Sequence, residues 1–239
     1  AATGISGLGE EAITLTGTNT VAQVNAVNAL TTGAITATIS TTDIDTLEDI
    51  TGTGNAYTIT VSDSSVSAAK ISALNAKTTG TVTVSSSTIT GTASAITTVY
   101  GESGISGLGS ESITVDSGTA SVAEVNSLGA LTTGTVTTTV TDGDMTTLAG
   151  ITESGNALSI TVTDTSVAAS ELTALDAKTS AAVNVTSSTL TGTNTEQLAA
   201  YAAQNAGTIT GLDNAFDAAS YLASHTDLLQ AYGSSTVNA

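Results

Sequence analysis

The residues able to do chemistry are few and scattered. Asp142 and Asp144 flank a glycine in "TDGDMTTL" and are the calcium candidates of the chain, because calcium is held by several carboxylate and carbonyl oxygens. The corresponding earlier stretch, "STTDIDTL", carries Thr41 where the later one carries Asp142. No EF-hand loop or glycine-rich nonapeptide accompanies either stretch, so a turn with a helix cap is the simpler reading. No cofactor is required on this reading, and calcium is the one left open. His225 is the single histidine, and any Ser-His-Asp triad would have to use it without a strained nucleophile motif nearby. "GTGNA" at 52–56 starts like a phosphate loop but precedes a strand instead of following one. Asn184 heads an "NVT" sequon inside an expected strand, which discounts it. No catalytic or cofactor-binding residue is assigned, and the chain is not read as an enzyme.

Composition narrows the classes further. Three lysines, no arginine and 21 acidic residues give a net charge of −18 over 239 residues. Such a surface repels phosphate backbones and anionic membranes, so nucleic acid is excluded as a partner. A mean hydropathy of +0.27 with only 10% charged residues argues against disorder. The absence of cysteine excludes disulfides, redox motifs and thiolate metal sites. No apolar run reaches the roughly 18 to 20 residues of a membrane span, so membrane insertion is not expected. "AATGISGLG" shows no Sec-type signal. The chain is then mature, exported by a C-terminal signal, or a piece of something longer. With one Phe, five Tyr and no Trp, the core must be thin and regular, filled by small branched side chains.

The elements that position these residues are written twice. "GISGLG" at Gly4 returns at Gly104, 100 positions on; "VAQVN" at Val21 returns as "VAEVN" at Val122, 101 positions on. "VTVSSSTITGT" at Val82 returns as "VNVTSSTLTGT" at Val183. Within each copy, alternation of branched residues with Thr predicts strands at 13–15, 35–39, 57–61 and 82–84, then at 113–115, 136–140, 158–162 and 183–185. Ile5, Ile105 and Ile209 add short strands. Between strands the apolar residues fall three apart, as in Val21, Val24, Val27 and Leu30, which predicts short helices with one buried face. Asp43, Asp63 and Asp164 are expected to cap the helices that follow them. The breaks at Gly33, Gly80, Gly134, Gly54–Asn55 and Gly155–Asn156 are expected to use left-handed turn geometry. Lys77 and Lys178 occupy matching helix ends, where a cation opposes the helix dipole.

A strand-helix-strand beat of this length implies parallel strands joined by crossovers. The fold expected is α/β, a right-handed solenoid of short parallel strands alternating with short helices, similar to leucine-rich repeats; a parallel β-helix is the alternative. Residues 1–210 form the solenoid, with copies at about 4–103 and 104–207. Residues 211–239 form a C-terminal amphipathic helix that caps the stack or docks it elsewhere.

The segment "YTITVSDSSVSAAKISALNAKTTGTVTVSSSTITGTASAI" resembles the Thr/Ser/Val-rich repeats of large exported cell-surface proteins of cyanobacteria and marine bacteria, over residues 11 to 207. "FDAASYLASHTDLLQAYG" resembles segments near the C-termini of such proteins, often exported by type I secretion. The resemblance implies an extracellular or cell-surface location and an S-layer-like, filament or adhesive role. It supplies no catalytic residues, and the calcium-repeat blocks that often accompany such proteins are missing. The function expected is an extracellular structural repeat protein, part of a surface layer, filament or matrix fibre. Self-association, end to end or lateral, is the expected partnership, with cell-surface polysaccharide the other partner considered. The alternative is an adhesin or glycan-binding module, for which Tyr57, Tyr100, Tyr201, Tyr221 and Tyr232 are the aromatic candidates. A polysaccharide-cleaving enzyme ranks third, since it needs a carboxylate pair in one groove.

Overall fold

The computed structural model describes residues 9–116, 118–186 and 189–212. The first repeat runs β1 (Ile13–Asn19), α1 (Val21–Asn28), β2 (Ile35–Ile39), α2 (Ile44–Leu47), β3 (Ala56–Val61), β4 (Ser65–Ser67), α3 (Ala68–Asn75), β5 (Val82–Val84), β6 (Thr88–Gly91) and α4 (Ala93–Gly101). The second runs β7 (Ile105–Ser106), β8 (Ser112–Val115), α5 (Val122–Gly129), β9 (Val136–Thr139), α6 (Met145–Leu148), β10 (Ala157–Val162), β11 (Ser166–Ala168), α7 (Ala169–Asp176), β12 (Val183–Val185), β13 (Thr189–Thr191) and α8 (Asn194–Ala206). A final short strand, β14 (Ile209–Thr210), follows.

The fold is α/β with parallel sheets. Strand order is β1-β2-β3-β5-β7 in one sheet, β14-β12-β10-β9-β8-β6-β4 in a second, and β11-β13 in a third. Among the described residues, all the strand pairings are parallel. The expected strands are present, Ile105 and Ile209 among them, with Val140 joining only as a single bridge to Ala120. Four further strands, β4, β6, β11 and β13, were not among those expected. Each follows the strand before it closely in sequence, and each lies in a different sheet from that strand. The expected strand at Ile5 lies outside the described residues, as does the C-terminal helix expected over 211–239, with His225, Tyr221 and Tyr232, apart from residues 211 and 212, which are not helical.

Alternation decides which face is covered. In β2, Ile35, Ala37 and Ile39 are buried while Thr36 and Thr38 are exposed. Thr36 lies beside Thr14, and Thr38 beside Thr18 and Thr58, so the outward positions form threonine rows. Opposite the inward residues stand the helix positions spaced by three: Ile44 and Leu47, then Ala68, Ile71 and Leu74, then Ala93, Ile96 and Val99. Leu30 departs from its expected stripe and is 77% exposed.

Helix N-termini are capped from two successive units. Asp43 accepts from Thr46 N–H at 2.9 Å within its own helix α2, as expected. Asp63 and Asp164 depart from expectation. Asp63 accepts from Ile44 N–H at 3.0 Å and Asp164 from Met145 N–H at 2.9 Å, so each caps the first residue of the preceding helix. The strands β4 and β11 intervene between these aspartates and the helices they were expected to cap. The carboxylates therefore stitch one unit to the previous one while satisfying otherwise orphaned donors.

The glycines also work across units. Gly54 (φ 81°) and Gly155 (φ 82°) take the left-handed geometry expected of them. Gly33, Gly80 and Gly134 do not; they are needed for close approach. A Cβ at Gly80 would lie 2.2 Å from the carbonyl oxygen of Tyr57, and one at Gly33 2.2 Å from that of Glu11. Beside each glycine a threonine clamps the same neighbour: the Thr78 hydroxyl donates to the carbonyls of Asn55 and Tyr57 and accepts from Tyr57 and Gly80 N–H. "TTG" is thus a contact motif between neighbouring backbones.

Candidate functional site

Asp142 and Asp144 both cap helices. Asp142 Oδ2 accepts from Val122 N–H at 2.7 Å, the inter-unit role that Asp63 and Asp164 play, and Asp144 Oδ1 accepts from Thr146 N–H at 2.8 Å at the start of α6. Among the described residues, no three His, Cys, Asp or Glu side chains gather into a metal-holding group. No described helix is long and apolar enough to cross a membrane.

The lysines reach neighbouring units. Lys70 pairs with Asp45 and with Glu48, the latter at 2.8 Å, and hydrogen bonding to Asp45 and then Glu48 raises its pKa. Lys77 donates to the Glu48 carbonyl and Lys178 to the Thr152 carbonyl at 3.3 Å. Lys77 and Lys178 each follow their own helix and meet a carbonyl just past the preceding short helix, a cross-unit version of the expected dipole contact.

The second repeat lacks the Lys70 pairing. In the second repeat Thr146, Ala149 and Glu171 replace Asp45, Glu48 and Lys70. A cavity of about 130 Å³ lies there, lined by Met145, Leu148, Ile151 and Leu175 together with Glu171 and Lys178. Its lining is apolar apart from one acid and one amine, with no nucleophile or paired carboxylate.

The most organised polar cluster sits where the two repeats meet. Glu111 is buried, 5% exposed. Its carboxylate accepts the Tyr100 hydroxyl, Gly109 N–H at 2.9 Å and Ser110 N–H at 3.0 Å. Burial pushes the carboxyl pKa up, but these donors outweigh burial and hold it below the ordinary 4.5. Burial first, then the Glu111 contact, raises the Tyr100 phenol. Donors fixed on a buried carboxylate make a structural clasp, with the charge already satisfied.

Two asparagines escaped the sequence reading. Asn55 and Asn156, buried at strand entries, each present Oδ1 to a neighbouring strand: Ile35 N–H and Val136 N–H, both at 2.8 Å. Their recurrence 101 positions apart was the available signal; asparagine after glycine reads first as a turn residue. Of the aromatic candidates, Tyr57 is fully buried, while Tyr100 and Tyr201 are half-buried. No family model, curated protein or solved structure matches the chain.

Proposed function

We propose that the chain is an extracellular structural repeat protein, part of a surface layer, filament or matrix fibre. Its strand-and-helix units form a right-handed solenoid that associates end to end. The observation that carries this reading is the boundary between the repeats. There β6 pairs with β8 in parallel and α4 packs on α5, so one repeat continues into the next without a linker. A unit that joins its successor in this way suits an element of extended architecture. The capping roles of Asp63, Asp142 and Asp164 and the clasp at Glu111 support the same reading, since polar side chains able to act on a ligand bind neighbouring units instead.

The location is tested by immunogold labelling of intact cells of the source organism with antibody to this chain. Gold on the envelope or on extracellular fibres is expected. Labelling confined to the interior overturns the reading.

A further inference from the structure

The two ends of the described chain are complementary halves of one internal unit. That unit, residues 105 to 115, enters through β7 and leaves through β8. Its first half is reproduced at residues 209–212. Ile209 pairs with Val183 as Ile105 pairs with Val82. Gly211 (φ 84°) repeats Gly107 (φ 86°), and a Cβ on either would strike the carbonyl of the preceding strand, at 2.1 Å from Val185 and 2.2 Å from Val84.

Its second half is reproduced from residue 9 onward. Gly9 (φ 122°) repeats Gly109 (φ 123°). Glu11 accepts from Gly9 N–H at 2.6 Å as Glu111 accepts from Gly109. Thr32 N–H donates to the Gly9 carbonyl at 2.7 Å, and Thr133 N–H to that of Gly109 at 2.9 Å.

What differs is cover. Ile89 and Ile113, partners across the internal junction, are both 0% exposed, and Val115 is 7% exposed. Their counterparts Leu190, Ile13 and Leu15 are only half-buried. Leu30 is 77% exposed, whereas its counterpart Leu131 packs against the core. Among the described residues, β1 is paired only with β2, and β13 only with β11.

We infer that a second copy of this chain docks head to tail at these edges, β13 of one copy pairing in parallel with β1 of the next in the register of β6 with β8. This rests on the end-to-end reading above and supplies its contact. Thr189, Leu190 and Thr191 then lie beside Ala12, Ile13 and Thr14 of the next copy, as Thr88, Ile89 and Thr90 lie beside Ser112, Ile113 and Thr114. The same register sets Tyr201 and Glu11 in the positions of Tyr100 and Glu111. The arrangement is heterologous and does not close on itself unless the rotation per copy permits it.

The chain has no cysteine, so paired replacements report the register directly. Thr14 and Thr191 are exposed, which leaves the core intact in T14C and T191C. Neighbouring strands place their Cα atoms about 4.8 Å apart, within disulfide reach. The full 239-residue T14C and T191C chains are mixed under mild oxidant, and T18C with T191C serves as the off-register pair. At least tenfold more linked species from T14C with T191C is expected. Equal yields from the two pairs overturn the junction, as does no linkage at all. Light scattering on the unsubstituted chain separates the two failures. Assembly that persists without the T14C–T191C link sinks this junction but leaves end-to-end association by another contact. A monodisperse monomer at every concentration, with and without calcium, sinks both.

Discussion

The Tyr100 hydroxyl donates to Glu111, joining the last helix of the first repeat to the entry of the first strand-helix unit of the second. Two residues eleven positions apart thereby hold two repeats together, and the carboxylate they share is also held by backbone donors. Tyr100→Phe removes a hydrogen bond to a charged, buried acceptor. It is expected to lower the stability of the chain by about 1.5–3 kcal/mol in urea unfolding at neutral pH.

The same carboxylate sets a pH dependence. Its folded pKa lies below the ordinary 4.5, so the folded state favours the ionised form. The stabilisation is full above the unfolded value and is lost as pH falls through the folded one. Glu111→Gln is therefore expected to flatten stability against pH below about 4.5 relative to the unsubstituted chain. Comparison of the two in urea titrations from neutral pH down to about pH 3 checks this; parallel curves contradict it.

Tyr57 presents the opposite case. Its side chain is fully buried and its hydroxyl has no hydrogen-bond partner among the described residues, and burial raises its pKa. The second repeat places Leu158 at the same position. An unpaired buried hydroxyl costs about 1–3 kcal/mol, so Tyr57→Phe is expected to leave stability unchanged or raise it by up to about that amount. A clear fall in Tm contradicts the assignment.

Glycine is needed at Gly80 because the Tyr57 carbonyl lies where a Cβ would go. Gly80→Ala is expected to destabilise by about 1–3 kcal/mol through overpacking. Gly101, helical and with open space around the same point, serves as the comparison. Gly101→Ala is expected to be neutral or stabilising by up to about 1 kcal/mol. Thermal unfolding of both variants checks the contrast. The second repeat carries Ala181 at the position of Gly80, and nothing in the structure explains why a Cβ is accepted there.

Asn55 holds a buried strand donor, Ile35 N–H, with its side-chain carbonyl. Asn55→Ala leaves that donor without its partner and is expected to cost about 1–3 kcal/mol. Asn55→Asp keeps an acceptor for Ile35 but loses the amide that donates to Asn28 Oδ1 at 3.0 Å and buries a charge, so it is expected to cost more than Asn55→Ala above the carboxylate titration range. Paired urea unfolding curves separate the two.

Much of the fold was legible because two periods are written plainly. Branched residues alternate with Thr in strands, and helices bury every third residue, as at Ile44 and Leu47 or Ala68, Ile71 and Leu74. What escaped the sequence depends on contact between units. Ser65–Ser67 and Thr88–Gly91 each hold a single branched apolar residue, Val66 or Ile89, which leaves no apolar alternation to read, and they become strands because a neighbouring unit supplies the partner. Asp63 read as the cap of the helix after it because local spacing cannot tell Ile44 N–H, 19 residues back, from a nearer donor. Gly80 read as a turn residue for the same reason: the atom that forbids a side chain belongs to Tyr57. The candidate site fared alike. Asp142 and Asp144 were legible as acidic turn residues and caps, whereas the Glu111 clasp needs Tyr100 brought alongside by the fold.

Among the described residues, successive units are headed by β1, β2, β3, β5, β7, β9, β10 and β12, eight in all. In the proposed solenoid, at about 4.8 Å between paired strands, eight steps amount to about 38 Å of stack. Electron cryo-microscopy of the assembly isolated from its source addresses the proposed role most directly. The account predicts filaments or fibres whose strands lie across the long axis, with one chain for roughly every 38 Å of length. Strands running along the axis, or chains meeting only side by side with β1 and β13 facing solvent, contradict it.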